Sequence, residues 1–332
     1  MTPRQPAPTG LLPAVAGADA AAAGADADAP QLVGRATRRY ASAFSDLLTL
    51  LRPRQWAKNA AVALALLDSP RWSAAVVLRT GWATLLFTLA SGLVYVTNDI
   101  ADRGLDRNHP VKRHRPIASG RFGLRWALLY ACALAALLVT AAVAGPRMAL
   151  WPLAGYIVMN LAYSRALKHV PIVDIYVVSA GFVLRLLQGY AGTGGHVSGW
   201  LAAAVLAACL ALVLGKRRQE LAAGTAYRPA LSGYNLVLTD HLLASCATLA
   251  VTAFLLYIRT DAPVGTYHAV LLAVAAPLSL FGMFRYLQAV LVHGLGADPV
   301  ATLLRDRLIL AAAGLLAAAV LVAAALSHRL AA

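Results

Sequence analysis

The sequence predicts an all-α, polytopic membrane protein with nine transmembrane helices, and three observations carry that reading. Sixty per cent of the 332 residues are hydrophobic and only 13% are charged, with a mean hydropathy of +0.67, outside the range of soluble globular domains. The apolar residues fall into nine runs near the length of about 20 that a helix needs to cross a bilayer, at 54–69, 76–97, 124–144, 148–164, 171–190, 199–215, 240–259, 268–290 and 303–326. The segments between them alternate in basic content. One side holds 22 Lys and Arg, in residues 35–58, 103–125, 165–168, 216–228 and 285–307, and the other holds Arg71, Arg79, Arg147, Arg259 and Arg329. The positive-inside rule then puts the N-terminus and the charged loops in the cytoplasm of a multi-pass protein of the inner (plasma) membrane.

Residues 1–40, rich in Ala, Pro, Gly and Asp, are expected to form a disordered tail; they contain no basic region leading into an apolar one, so no cleaved signal is expected. Residues 41–332 form the transmembrane domain. Its first run opens on "LRPRQWAKN", with Trp56 and with Lys58 about one turn into the apolar segment, where a lone ammonium either snorkels or binds something.

The second run leads directly into "NDIADRGLDRNHPVKRHRPIASG". On a continuing helix Asn98, Asp99, Asp102 and Asp106 fall at about 0°, 100°, 40° and 80°, one quarter of the surface. Carboxylates one turn apart repel, so such a stripe needs a cation. Oxygen-only donors suit Mg²⁺, which shares its coordination with substrate phosphates. The other reading is an acidic face paired with Arg103, Arg107 or later bases. Lys112, Arg113 and Arg115 follow on a loop that a proline opens. Acids for a metal beside bases for phosphate oxygens suit a diphosphate. His109 and His114 are read as solvated. Tyr95 lies three residues before Asn98 on the same face; it reaches the ligand or sits in an interfacial belt.

The later cytoplasmic loops add Tyr163, Ser164, Arg165, Lys168 and Asp174 in "AYSRALKHVPIVD", and Lys216, Arg217, Arg218 and Glu220 in "LGKRRQEL". Arg185 lies about 16 Å along its helix beyond Asp174, a depth that requires a polar cavity or a buried partner. "GYAGTGGHVSG" reads as an uncharged external turn. Arg285, Asp298, Arg305, Asp306 and Arg307 read mainly as structure, and Cys132, Cys209 and Cys246 as small core residues. The sequence lacks GxSxG, HExxH, a P-loop and GxGxxG before a strand, so hydrolase, zinc-protease and nucleotide-motor readings lack support. Transporters concentrate charge near the midplane between repeats; here it gathers at one face. The +15 net charge is expected to meet phosphates and membrane lipids, not nucleic acid. Self-association is left open.

An aspartate-rich NDxxDxxxD after the second apolar helix, with a second charged loop after the sixth, resembles the UbiA superfamily of intramembrane prenyltransferases over residues 45–330. That resemblance implies a helical bundle with a cytoplasmic-side site, and Mg²⁺ held by Asn98, Asp99, Asp102 and Asp106, the residues expected to be catalytic. Ordinary members repeat the aspartate-rich motif in the second loop; here it reads "KRRQE", cations in place of a second metal cluster. "LRPRQWAKN", "DRNHPVKRHRPIASG", "YSRALK" and "GFVLRLLQG" are similar to one branch of the superfamily. That likeness implies transfer of phosphoribose from 5-phosphoribosyl 1-diphosphate to decaprenyl phosphate, releasing diphosphate, in cell-wall arabinan precursor synthesis. Lys58, Tyr95, Lys112, Arg113, Arg115, Tyr163, Lys168, Asp174, Arg185, Lys216, Arg217 and Arg218 would then bind substrate. A prenyl diphosphate donor and lipid-phosphate transport stand as the alternatives.

Overall fold

The structure is a computed structural model that describes residues 45–66, 69, 73–224 and 229–330. The chain divides into two units, Met1–Thr49 and Leu50–Ala332. Of the first, only residues 45–49 are described, and they are helical; the tail expected over residues 1–40 lies outside the described residues. The second unit contains the bundle and the site.

Among the described residues every regular element is helical: α1 (Ala60–Ala63), α2 (Ala74–Ala101), α3 (Arg103–Arg107), α4 (Leu124–Ala144), α5 (Trp151–Arg165), α6 (Val173–Thr193), α7 (Gly199–Ala222), α8 (Leu236–Thr260), α9 (His268–Leu291), α10 (Pro299–Arg305) and α11 (Arg307–Leu330). Seven of them, α2, α4, α6, α7, α8, α9 and α11, are long and apolar enough to cross a membrane. The other two apolar runs take shorter forms. Residues of the run at 54–69 make a 3-10 helix, Pro53–Asn59, then α1 and a second 3-10 turn, Leu64–Leu66. The run at 148–164 becomes α5, whose 15 residues span about 22 Å at 1.5 Å each, against a hydrocarbon core of about 30 Å.

Helix ends follow from local chemistry. Ser73, Ser198, Asn235 and Asp298 accept hydrogen bonds from the first-turn amides of α2, α7, α8 and α10, each cap contributing about 1 kcal/mol. Asp306 interrupts the last apolar run: its Oδ1 accepts from Leu308 and Ile309 N–H at 3.0 and 3.1 Å, so α11 starts there and α10 stands apart.

Packing places α6 at the centre. α6 contacts α1, α2, α5 and α7; α7 packs on α8, α8 on α9, and α9 on α11. Half of the α6 span is buried, compared with 17% for the spans of α9 and α11; α6 buries Arg185 and Gln188 while α9 and α11 present apolar surface outward. Between α7, α8, α9 and α11 lies an apolar cavity of about 420 Å³, also touched by Leu64. A second cavity of about 220 Å³ shares Ala208, Ser279, Met283, Ala313 and Leu316 with it, so the two form one groove.

Candidate active site

α2 stops at Ala101, and the continuing helix expected through the acid stripe is instead two helices joined at Asp102. The spacing survives the break, because Asp102 N–H donates to the Asn98 carbonyl and Asp106 N–H to the Asp102 carbonyl, both at 2.8 Å. The stripe is not one ligand set, however. Asn98 Oδ1 accepts from Ser164 Oγ at 2.5 Å and Asp102 Oδ1 from Lys168 Nζ at 2.8 Å, so these two turn toward the end of α5 and the 3-10 turn Leu167–His169. Asp99 and Asp106, each 3% exposed, turn to arginines. Arg115 Nη1 donates to Asp99 Oδ1 at 2.9 Å and to Asp106 Oδ2 at 2.7 Å, and Arg52 Nη2 meets Asp99 Oδ1 at 2.5 Å. Lys112 Nζ stands 3.8 Å from Asp106.

Arg52 was not singled out from the sequence. It adopts a left-handed backbone, φ 52°, a strained choice for a non-glycine residue, and its guanidinium lies 5.0 Å from the Tyr95 ring centroid. Tyr95 therefore packs under the arginine that holds Asp99. Arg113 is exposed and donates to His114 Nε2 at 3.3 Å.

The second charged loop distributes its three bases in three directions, as consecutive helical residues must, about 100° apart. Arg217 turns inward: its Nε donates to Asp174 Oδ2 at 2.9 Å and its Nη1 to Glu220 Oε2 at 2.7 Å. Asp174 is wholly buried, and its other oxygen accepts from Tyr234 Oη at 2.8 Å. That tyrosine also accepts from Ile172 N–H at 2.8 Å, securing a β-branched residue at φ 66°. Burial and the hydrogen bond to Asp174 raise the Tyr234 hydroxyl above its ordinary range, so it remains a donor. Arg218 turns the other way, onto Asp240, at 2.6 Å. Asp174 and Arg217, expected to meet substrate, are thus engaged by protein partners, because a buried charge must be matched by a neighbouring opposite charge; Arg218, also expected there, is engaged by Asp240 at a more exposed position.

Lys58, Lys216 and Arg185 form a third group. Lys58 makes no ion pair among the described residues and lies within Coulomb range of Arg185, Lys216, Asp298 and Arg52. Tyr163 lies within such range of Arg217. Arg185 is 3% exposed and has no carboxylate in ion-pair range among the described residues. Neutral acceptors and aromatic faces surround it instead. Asn59, Tyr234 and Asp240, which complete these networks, had no signal in the sequence beyond being polar residues near apolar runs.

The donors present fit a Mg²⁺ ion at one place. Asn98 and Asp102 offer one amide and one carboxylate oxygen a turn apart, and the Asp102 side chain is 28% exposed. Mg²⁺ is commonly held by one or two carboxylates, with water and substrate phosphates completing the shell. Asp99 and Asp106 are occupied by Arg52 and Arg115, and no cluster of three or more His, Cys, Asp or Glu among the described residues is arranged to hold a metal.

Residues 59–291 match the model of the UbiA prenyltransferase family. The decaprenyl-phosphate phosphoribosyltransferase of Mycobacterium tuberculosis is 33% identical over 288 residues, 82% of this chain and 92% of that protein. The enzyme of the same name from Mycolicibacterium smegmatis is 35% identical over 225 residues, 63% of this chain and 67% of that one. Among solved structures, a UbiA homolog from Archaeoglobus fulgidus bound to GPP and Mg²⁺ superposes with a TM-score of 0.59 at 18% identity, covering 80% of this chain and 99% of that one. A structure concerned with digeranylgeranylglyceryl phosphate synthase gives 0.63 at 15% identity, covering 85% and 98%; at such identities these two speak to the fold alone. The matched model and the curated relatives agree, and the chain belongs to the UbiA prenyltransferase family.

Proposed function

We propose that the protein transfers 5-phosphoribose from 5-phosphoribosyl 1-diphosphate to decaprenyl phosphate, releasing diphosphate, in cell-wall arabinan precursor synthesis. The observation that carries this reading is one oxygen-donor site, Asn98 with Asp102 and Lys168 upon it, beside a separate cationic group in which Lys58 and Lys216 lie in Coulomb range of each other. A donor with a phosphate beyond its diphosphate suits that balance. The similarity to named phosphoribosyltransferases supports it.

Asn98 and Asp102 would hold Mg²⁺, which when bound offsets the charge of the leaving diphosphate. Lys168 stands on Asp102 and Lys112 beside Asp106, and both would take diphosphate oxygens. Lys58 and Lys216, in Coulomb range of each other, take the remaining phosphates. As diphosphate departs, the anomeric carbon gains oxocarbenium character and an acceptor phosphate oxygen attacks from the opposite face, with inversion. A phosphomonoester is already largely ionised at neutral pH, so no general base is required. The groove of about 420 Å³ between α7, α8, α9 and α11 takes part of the polyprenyl chain.

The reading extends to topology: nine crossings of the inner membrane by residues 41–332, the N-terminus and the site on the cytoplasmic side, and Mg²⁺ as cofactor. The test is incubation of detergent-purified protein with Mg²⁺, labelled donor and decaprenyl phosphate. A labelled lipid is expected. Prenyl transfer from a prenyl diphosphate, or lipid movement across proteoliposomes without chemical change, would replace the proposal.

A further inference from the structure

The arginine of "GFVLRLLQG" sits where a charge is costly, and its surroundings show what it does there. All the hydrogen bonds of Arg185 go to neutral protein groups: Nε donates to Asn59 Oδ1 at 2.9 Å, Nη1 to the Gly181 carbonyl at 2.8 Å, and Nη2 to Tyr156 Oη at 3.1 Å and Ser91 Oγ at 3.5 Å. Its carbon Cζ lies 5.0, 4.7 and 5.3 Å from the ring centroids of Phe87, Tyr156 and Phe182. Cation–π faces and charge-assisted hydrogen bonds replace a counter-ion, and these bonds engage four of the five guanidinium N–H donors of a residue that is only 3% exposed.

One of these bonds reaches across the fold. Asn59 is itself buried, and its Nδ2 donates to Thr88 Oγ1 at 3.0 Å, so Arg185 and α2 together fix its amide. Lys58 is the preceding residue in the 3-10 helix Pro53–Asn59. Farther along α6, a Cβ on Gly189 would lie 2.0 Å from the Val62 carbonyl, so only glycine there admits the close approach of α1. Arginine and glycine of one motif, about one turn apart on one helix face, thus seat the same short segment.

We infer that Arg185 is a positioning residue: caged among aromatic rings, it fixes Asn59 and so holds the Lys58-bearing segment in register against α6, without itself meeting phosphate. The inference rests on the reading of Lys58 as a phosphate-facing residue, and its test does not depend on turnover. Pyridoxal 5′-phosphate, a phosphate-bearing aldehyde, condenses with a lysine amine beside a phosphate site; borohydride reduction and peptide mapping then report each lysine. Arg185→Gln is expected to lower labelling of Lys58 by about tenfold, the effect of losing one good charge-assisted hydrogen bond, while Lys216 labels as in the wild type. Arg185→Lys is expected not to restore Lys58, because one ammonium cannot reproduce the forked donors. Asn59→Ala, which spares the buried charge, is expected to give the same selective loss and serves if the Arg185 variants fail to fold. Unchanged Lys58 labelling in a folded variant, or rescue by lysine, overturns the inference. No lipid product with selective loss intact overturns the proposed reaction alone.

Discussion

The two charged loops have similar content and opposite character. In the first, Asp102 and Lys168 meet with side chains 28% and 19% exposed, so either partner can exchange the other for a ligand. In the second, Arg217 and Asp174 meet with side chains 3% and 0% exposed, closed over by Tyr234 and Glu220. A charge at the rim of a site keeps its affinity for ligands, whereas one in the interior commits it to a protein partner, because stripping water from an unmatched ion costs several kcal/mol. Burial, more than charge, separates the ion pairs open to exchange from those committed to the protein, and Asp99 and Asp106 of the first loop, held by Arg52 and Arg115, fall with Arg217 and Asp174.

The sharpest way to break this comparison is at the exposed end. Asp102→Ala is expected to lower turnover about a thousandfold or more, the loss of roughly 4 kcal/mol of charge stabilisation at the leaving group, while the melting temperature stays near wild type. A rate within about tenfold of wild type would move the metal to other residues.

At the buried end the expected effect is on the fold. Asp174→Ala leaves the Arg217 guanidinium with Glu220 alone and removes the acceptor of the Tyr234 hydroxyl, and a broken buried pair typically destabilises by about 3–5 kcal/mol. Thermal unfolding in detergent should show a fall of several degrees, with loss of activity following loss of folded protein. Double replacement of Asp174 and Arg217 by apolar residues of similar volume should recover much of it. A variant that melts like wild type yet loses donor affinity would return the pair to the substrate.

The contrast also marks how far the sequence could be read. Seven of the nine apolar runs correspond to long helices in the structure, because about 20 consecutive apolar residues leave no other stable form in lipid. The closeness of Lys112 and Arg115 to the stripe from Asn98 to Asp106 was legible too, since helical spacing and loop position follow from one-dimensional pattern. What was not legible is pairing. Whether Asp99 meets a metal or Arg52, and whether Arg217 meets a phosphate or Asp174, depends on the approach of segments 43 and 47 residues apart in sequence. No local period encodes that. Arg185 falls between: its depth gave it a role, and only the packing of α1, α2 and α5 around it shows which.

The finest division lies within the second loop itself, between neighbours. Arg218 pairs with Asp240 at 2.6 Å, but the side chains are 18% and 38% exposed, unlike those of Arg217 and Asp174 one residue earlier. Solvent screens such a pair and replaces it when broken, so Arg218→Ala is expected to cost less than about 1 kcal/mol in stability and to change the donor and acceptor KM by less than about threefold. Melting curves and steady-state kinetics on one preparation check both. A KM rise of about tenfold or more with unchanged melting would mean that Arg218 leaves Asp240 for a substrate phosphate during turnover. The exposed pair of the second loop would then behave as Asp102 and Lys168 do in the first, and accessibility would govern ligand exchange in both loops alike.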